Sequence, residues 1–235
     1  MKIMSFNTQH CRNYVSLEID YPRMAEVIKA EDPDIIGLNE IRDELLGYEP
    51  PYDKQTDILA ALTGFENKFF AKAIEIRGEL NYSYGNGFMS KYKIVESSTY
   101  PIALPKEQRT YVYYESRVLY KAKLENGYTV LVTHFGLSHE EQEEAVKVLL
   151  PHIEKEKCIL MGDFNVTPDS DILIPIKEKM VDCASVSSEE NLTFTSDKPY
   201  MKIDYIFVTP DIEIVDFSTI KTVASDHFPV RAEIK

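Results

Sequence analysis

Apolar residues in this chain fall into short runs, and the runs stop abruptly at side chains able to do chemistry. Ile3-Met4-Ser5-Phe6 runs into Asn7, Ile35-Ile36-Gly37-Leu38 into Asn39 and Glu40, and Val130-Leu131-Val132-Thr133 into His134. Lys157-Cys158-Ile159-Leu160-Met161-Gly162 delivers Asp163, Phe164 and Asn165, and Ala224-Ser225-Asp226-His227 precedes a final apolar stretch. Runs this short, bounded by turn formers, read as buried strands rather than helices. Thr167-Pro168-Asp169 stops the run from Lys157 within a few residues, and Asp163 and Asn165, one alternation apart, are expected to point the same way. A single Asp or Asn at a strand end is ordinary turn chemistry. Several such endings together predict strand ends converging on one polar cleft, a common place for ligands in layered α/β proteins.

Between the runs the period changes. Met24, Ala25, Val27 and Ile28 after Pro22 predict a helix to Ala30, with proline in its first turn and Glu31-Asp32-Pro33-Asp34 ending it. Asp53 to Leu62, closed by Gly64, predicts a second helix. Ser138-His139-Glu140-Glu141 resembles a capping box opening a helix to about Lys155, with Val146, Leu149, Leu150 and Ile153 on its inner stripe. A fourth helix is expected from about Ser170 to Lys179. Thr8 to Tyr21, Glu49 to Tyr52 and Gly78 to Tyr84 read as loops. Further strands are expected at Phe69 to Ala71, Gly87 to Ser90, Ile94 to Tyr100, Ser116 to Leu124, Lys202 to Val208, Ile212 to Ser218 and Phe228 to Ile234. Glu125-Asn126-Gly127-Tyr128 is a hairpin signal, so part of the sheet is antiparallel. Leu104 to Tyr114, with Pro105, Arg109 and three tyrosines, reads as a solvated loop whose aromatic anchors could rim a cleft. No linker or short-period repeat interrupts the pattern. Helices and strands alternate in two similar halves, which predicts two sheets packed face to face with helices outside, in a single domain over residues 1–235.

Composition narrows the function. With 235 residues and 44% hydrophobic content the chain can bury a full core. The N-terminus lacks the apolar core of a signal peptide and no segment reaches the length of a membrane span, so a cytoplasmic protein is expected. Cys11, Cys158 and Cys183 are odd in number and unpaired in spacing, which argues against a disulfide framework and against structural zinc; they read as free thiols, with Cys158 in a strand core. Thirty-nine acidic residues against twenty-six basic ones give a net charge of −13, and the basic residues are scattered. A divalent cation would lower that only to about −11, so a strong electrostatic grip on a nucleic-acid backbone is not expected.

The strand-end set is Asn7, Glu40, His134, Asp163, Asn165, Asp204, Asp226 and His227. Carboxylates, amides and histidines without a cysteine make a hard, oxygen-rich site, suited to Mg²⁺ or Mn²⁺ rather than zinc.

In order along the chain stand Ser5-Phe6-Asn7, Ile35-Ile36-Gly37-Leu38-Asn39-Glu40, Gly85-Asn86-Gly87-Phe88-Met89-Ser90-Lys91, Thr133-His134, Gly162-Asp163-Phe164-Asn165, Ile203-Asp204-Tyr205-Ile206-Phe207 and Ser225-Asp226-His227-Phe228-Pro229. Spanning residues 5 to 229, this series closely resembles the endonuclease/exonuclease/phosphatase superfamily, the metal-dependent phosphoesterases related to deoxyribonuclease I, abasic-site endonucleases, inositol polyphosphate 5-phosphatases and neutral sphingomyelinases. The resemblance implies an α/β fold, a four-layer α/β/β/α sandwich of two packed mixed sheets. It departs from the family at Asn39, where Gln is usual, and in cleft-side loops without the basic or aromatic insertion of abasic-site enzymes.

Residue by residue, the resemblance makes Glu40 the main metal ligand, with Asn7 and Asp226 completing or supporting the shell. Asp163 would orient or deprotonate the attacking water, and Asn165 would hold a non-bridging phosphate oxygen. Asp204 would fix the tautomer of His227, and His227 and His134 would contact the phosphate. Water would attack phosphorus directly, so no Ser or Cys nucleophile is expected. His10, Ser90, Lys91 and Arg117 lie in or near family-like stretches without an assigned role. The acidic balance favours a small-molecule or lipid-derived phosphoester over DNA or RNA. A nuclease is the alternative within the class. A non-catalytic binding module is the alternative outside it, and the presence of Glu40, Asp163 and His227 argues against that.

Overall fold

The structure, a computed structural model, describes residues 1–44, 54–76 and 82–235. The loop expected at Glu49 to Tyr52, the helix start expected at Asp53 and the first part of the loop from Gly78 lie outside the described residues. In chain order the elements are β1 (Lys2–Asn7), α1 (Tyr21–Glu31), β2 (Ile35–Glu44), α2 (Gln55–Thr63), β3 (Asn67–Ile76), β4 (Tyr82–Ser90), β5 (Ile94–Ile102), β6 (Arg117–Leu124), β7 (Thr129–His134), α3 (His139–Leu149), β8 (Cys158–Asp163), α4 (Ile174–Lys177), β9 (Val181–Asp182), β10 (Asp204–Val208), β11 (Ile214–Thr219) and β12 (Val230–Ile234).

Two mixed sheets result, ordered β11-β12-β1-β2-β4-β3 and β5-β6-β7-β8-β10-β9. Each is built around a parallel pair flanked by antiparallel strands. In the first sheet β1 and β2 run together from Ile3 beside Ile35 to Asn7 beside Asn39. In the second, β7 and β8 run from Thr129 beside Cys158 to His134 beside Asp163.

Alternation along these strands produces four layers. Ile3, Ile35, Val130, Val132, Ile159 and Met161 pack in the core between the sheets. Met4, Phe6, Ile36 and Leu38 face Met24, Val27 and Ile28 of α1 and Leu59 and Ala60 of α2. Leu131, Leu160 and Phe207 face Ala145, Val146 and Leu149 of α3. The four-layer α/β/β/α sandwich is therefore present. The same parity carries Asn7, His134, Asp163 and Asp204 onto the inner faces, so the core between the sheets turns polar at one end.

Two helices are shorter than their periodicity predicts, and proline explains both. The capping box of α3 is complete: Glu141 N donates to Ser138 Oγ at 3.3 Å, and Ser138 N donates to Glu141 Oε2 at 3.1 Å. Yet α3 ends at Leu149 rather than near Lys155, giving way to a 3₁₀ turn at Leu150–His152, because Pro151 has no N–H to extend the ladder. The segment from Ser170 is a 3₁₀ turn at Asp171–Leu173 followed by the single turn α4, with Pro175 at its start. Strands β3 and β4 are longer than expected, and Tyr84 lies within β4 rather than in a loop. The loop after β1 contains a 3₁₀ turn at Gln9–Cys11. All three cysteines are free and buried. Among the described residues, no helix is long and apolar enough to cross a membrane.

Candidate active site

The eight strand-end residues do not all arrive by simple alternation. Asn7, His134 and Asp163 sit at strand ends on the inner face, and Asp204 opens β10 directly opposite Asp163. Glu40 would follow Leu38 to the outer face if β2 were straight. Instead, two β2 residues between Leu38 and Ile41 face one residue of β4, and Glu40 adopts φ 58°, which turns its carboxylate back toward Asn7. Asn165 also departs from expectation. Strand β8 ends at Asp163, and a turn brings Asn165 back with φ 51° and its N–H donating to Asp163 Oδ1 at 2.9 Å. Gly162 permits this end. Its φ is 147°, and a Cβ there would lie 1.9 Å from Thr133 O.

Asp163 is the hub. Its Oδ2 accepts from Asn7 Nδ2 at 3.0 Å and lies 3.5 Å from His134 Nε2 and 3.7 Å from His227 Nε2. The same Asn7 amide nitrogen donates to Glu40 Oε1 at 3.2 Å, while Asn7 Oδ1 accepts Gln9 N at 3.1 Å. So oriented, Asn7 holds two carboxylates by donation. His227 Nδ1 bonds Asp204 Oδ2 at 2.8 Å. Ser225 Oγ donates to Asn7 O at 2.7 Å, which places the Asp226-His227 segment against β1.

The electrostatics separate the two histidines. Burial disfavours the charged form of His227, but Asp204, Asp163 and Asp226 outweigh it and push its pKa up to about 10, so it is an imidazolium at neutral pH. His134 is held well below the usual range by burial, then by the positive charges of Arg117 and His227. Arg117 Nη1 lies 3.0 Å from His134 Nδ1, and arginine can only donate. His134 is therefore neutral, with Nδ1 accepting and its proton on Nε2, which lies 3.2 Å from the Asn165 side-chain amide and 3.5 Å from Asp163 Oδ2. Burial pushes the Asp163 carboxyl up, and Asp204 adds to the rise against the opposing charge of His227. Burial and then the charge of Asp226 raise Glu40.

These groups open onto a cavity of about 370 Å³ whose wall includes Glu40, His134, Asp163, Asn165, Asp226 and His227. Asn7 and Asp204 stand behind it. Residues without an assigned role complete the wall: His10, Arg42, Tyr84, Glu115, Arg117 and Phe194. Arg117 also donates to Tyr84 Oη at 3.1 Å and pairs with Glu115 at 2.6 Å. Tyr113 of the 104–114 loop reaches the cavity, whereas Tyr111 is fully exposed and Arg109 pairs with Glu140. Ser90 and Lys91 lie at the opposite end of β2, where Lys91 pairs with Asp32 and Asp34.

The donor set fits a hard divalent cation. Glu40 and Asp226 bring two carboxylates to one wall, where the charge of one raises the pKa of the other, and a cation between them would relieve that repulsion. Asp163, Asp204 and His227 also present three ligating atoms within 4.8 Å of one another. The His227–Asp204 hydrogen bond and the charge of the imidazolium beside Asp163 already use that proximity, so Glu40 and Asp226 are the better holders.

Asn39, the departure from the family pattern, ties the sheets together. Its Nδ2 donates to Asn86 Oδ1 at 2.9 Å and to Thr133 O at 2.8 Å, and its Oδ1 accepts Asp163 N at 2.9 Å.

The chain belongs to the endonuclease/exonuclease/phosphatase family, whose model matches residues 4–227. It is similar in structure to an endonuclease/exonuclease/phosphatase from Beutenbergia cavernae (TM-score 0.80, 22% identity, covering 100% of this chain and 71% of that one). It is also similar to a mannosyl-6-phosphatase from Bacteroides thetaiotaomicron (TM-score 0.76, 17% identity, covering 100% and 99%) and to an AP endonuclease from Archaeoglobus fulgidus (TM-score 0.66, 16% identity, covering 100% and 99%). No curated protein sequence matches the chain.

Proposed function

We propose that the chain hydrolyses a small phosphoester, with Mg²⁺ or Mn²⁺ held at Glu40 and Asp226 and water attacking phosphorus directly. The observation that carries this reading is the convergence in one cavity of a carboxylate pair, a neutral histidine backed by arginine, and an imidazolium held by a buried aspartate. When bound, the metal would neutralise phosphate oxygens and the leaving oxyanion. Asn7 holds Glu40 and Asp163 at a fixed separation. Asp163 accepts the proton of the attacking water, and burial makes it a stronger base than an exposed aspartate. His227 offers its Nε2 proton where negative charge develops, while its Nδ1–H stays donated to Asp204 Oδ2. The Asn165 amide, which donates to Phe135 O and lies 3.2 Å from His134 Nε2, would hold a non-bridging oxygen in exchange for one of these contacts, and Arg117 supplies fixed positive charge behind His134.

The cavity favours a small or lipid-derived ester over nucleic acid. Among the described residues no lysine lines it, Arg42 and Arg117 are bonded to histidines, Arg117 is also paired with Glu115, and Glu141 adds negative charge to the wall. A long phosphate backbone would meet these carboxylates, whereas a single phosphate need not. The likeness to a mannosyl-6-phosphatase supports this choice. The test sets sugar phosphates, other phosphomonoesters, small diesters and phospholipids beside duplex, single-stranded and abasic DNA and RNA, each with Mg²⁺ or Mn²⁺ at low and moderate salt. Hydrolysis of a small ester is expected. DNA cleavage that persists at moderate salt, with small esters untouched, would overturn the reading in favour of a nuclease.

A further inference from the structure

The turn after β1 takes no part in the chemistry above, yet it is built at a conformational cost. Gln9, His10 and Cys11 are three consecutive non-glycine residues with φ of 48°, 60° and 56°, in the left-handed region that L residues avoid. Hydrogen bonds from several elements hold them there. Asn7 Oδ1 accepts Gln9 N. The buried Gln55 donates from Nε2 to His10 O at 2.7 Å while its Oε1 accepts Arg42 N at 2.8 Å. The result is one fixed position for the His10 imidazole on the cavity wall.

That ring is oriented as metal-ligating histidines are. Its Nδ1 lies 3.1 Å from the carbonyl oxygen of Glu40, and a carbonyl can only accept, so Nδ1 carries the proton. A histidine tethered through one nitrogen to a carbonyl presents the other nitrogen as a ligand of defined direction. Here the other nitrogen, Nε2, lies 3.5 Å from Glu40 Oε2. Two lone-pair acceptors then face each other, and the nearest donor to Nε2 is Arg42 Nη2 at 3.3 Å. Two atoms each about 2.1 Å from one ion are about 3.0 to 3.4 Å apart, so a shared cation needs only a small adjustment. The Arg42 hydrogen bond is a long one, and a cation on Nε2 would replace it.

We propose that His10 Nε2 is a nitrogen ligand of the divalent metal held at Glu40, which makes the site a mixed imidazole–carboxylate one. This rests on the metal-dependent reading above. Its consequence is selectivity: imidazole suits Mn²⁺ and its later first-row neighbours better than Mg²⁺, so Mn²⁺ is preferred beyond what an all-oxygen site gives.

The test loads the full chain with Mn²⁺ and looks by pulsed electron paramagnetic resonance for the coupling of a directly bound imidazole nitrogen. The parent is compared with His10→Asn, chosen because Asn tolerates a left-handed φ better than most residues. Calorimetry measures Mn²⁺ and Mg²⁺ affinity for both and for Glu40→Gln. The expected result is a nitrogen coupling in the parent that disappears in His10→Asn, with Mn²⁺ affinity falling roughly 10- to 100-fold and Mg²⁺ affinity falling less. Absence of the coupling in the parent, or its persistence in His10→Asn, overturns the proposal. If Glu40→Gln still weakens Mn²⁺ binding in that case, the metal reading survives without His10. Mn²⁺ binding untouched by Glu40→Gln removes the metal reading itself.

Discussion

Asn39 offers the sharpest test of how the sandwich holds its site. It is fully buried on β2 and reaches Thr133 and Asp163 of the opposite sheet, while its partner Asn86 donates to Val118 O of that same sheet at 3.0 Å. Asn39→Ala removes three hydrogen bonds and strands Asp163 N, Asn86 Oδ1 and Thr133 O. Leaving a buried polar group unsatisfied costs about 1–3 kcal/mol. The neighbouring cavity can admit water, so the low end applies, and the sum is about 3–4 kcal/mol. That is a large share of the roughly 5–15 kcal/mol that holds an ordinary domain folded. With a urea slope of about 3 kcal/mol/M for a chain of this size, the unfolding midpoint should fall by about 1 M with unchanged slope. Far-UV circular dichroism reads this directly, supported by fluorescence of the 15 tyrosines in a chain without tryptophan. Asn39→Asp sharpens the test. It keeps an acceptor for Asp163 N but buries a second carboxylate, whose folded pKa should rise, so its destabilisation should grow as pH rises above about 4. A loss below about 1 kcal/mol for Asn39→Ala would show that the bridge does not hold the sheets.

Three further outcomes are expected. Glu40→Gln should greatly weaken Mg²⁺ or Mn²⁺ binding in a calorimetric titration, because the amide removes a full charge from the ligand set; equal affinity in variant and parent would reject Glu40 as the ligand. Asp163→Asn should reduce turnover by about 10²- to 10⁴-fold with folding retained, since an amide cannot take the proton of the attacking water; near-parent rates would move the base role to another group, His227 first. The folded pKa of His227 stands above its unfolded value, so its pairing stabilises the metal-free fold fully below about pH 6.5 and the contribution fades as pH rises toward about 10. The stability gap between the parent and Asp204→Asn should accordingly narrow between about pH 6 and pH 10, and a gap that stays constant would mean that His227 is not held as an imidazolium.

What was legible in the sequence is what alternation controls. The runs ending at Asn7, His134 and Asp163 fix both a strand and a face, and the structure puts all three on the inner faces at one end of the sandwich. What was not legible depends on left-handed backbone or on contacts across the sheets. Glu40 reaches the cavity through a bulge and a φ of 58°, which no hydrophobic pattern announces. His10 lies in a left-handed turn whose supports, Gln55 and the Glu40 carbonyl, are far away in sequence. Arg117 gains its meaning from Tyr84 and His134, each on a different strand. An arginine opening an alternating strand was the only local signal. The helix ends were misjudged where the apolar stripe continued past a proline, because the missing N–H outweighs the stripe.

The two sheets solve the same problem with different chemistry. In each, the parallel pair ends side by side, so that one register row delivers two polar groups at once: Asn7 with Asn39 in the first sheet, His134 with Asp163 in the second. A parallel pair does this where a tight hairpin cannot, because both of its strands finish at the same edge and leave it by separate connections. One row earlier, Ser5 and Gly37 face Val132 and Met161 across the sheets, and a Cβ on Gly37 would come 2.7 Å from Met161 Sδ. The layer just below the polar row is filled over Gly37 by the Met161 side chain, so a methyl group there meets a flexible thioether that must shift. A Gly37→Ala substitution should therefore cost about 1–3 kcal/mol of stability through overpacking, read as a lower urea midpoint, and an unchanged midpoint would show that Met161 yields freely.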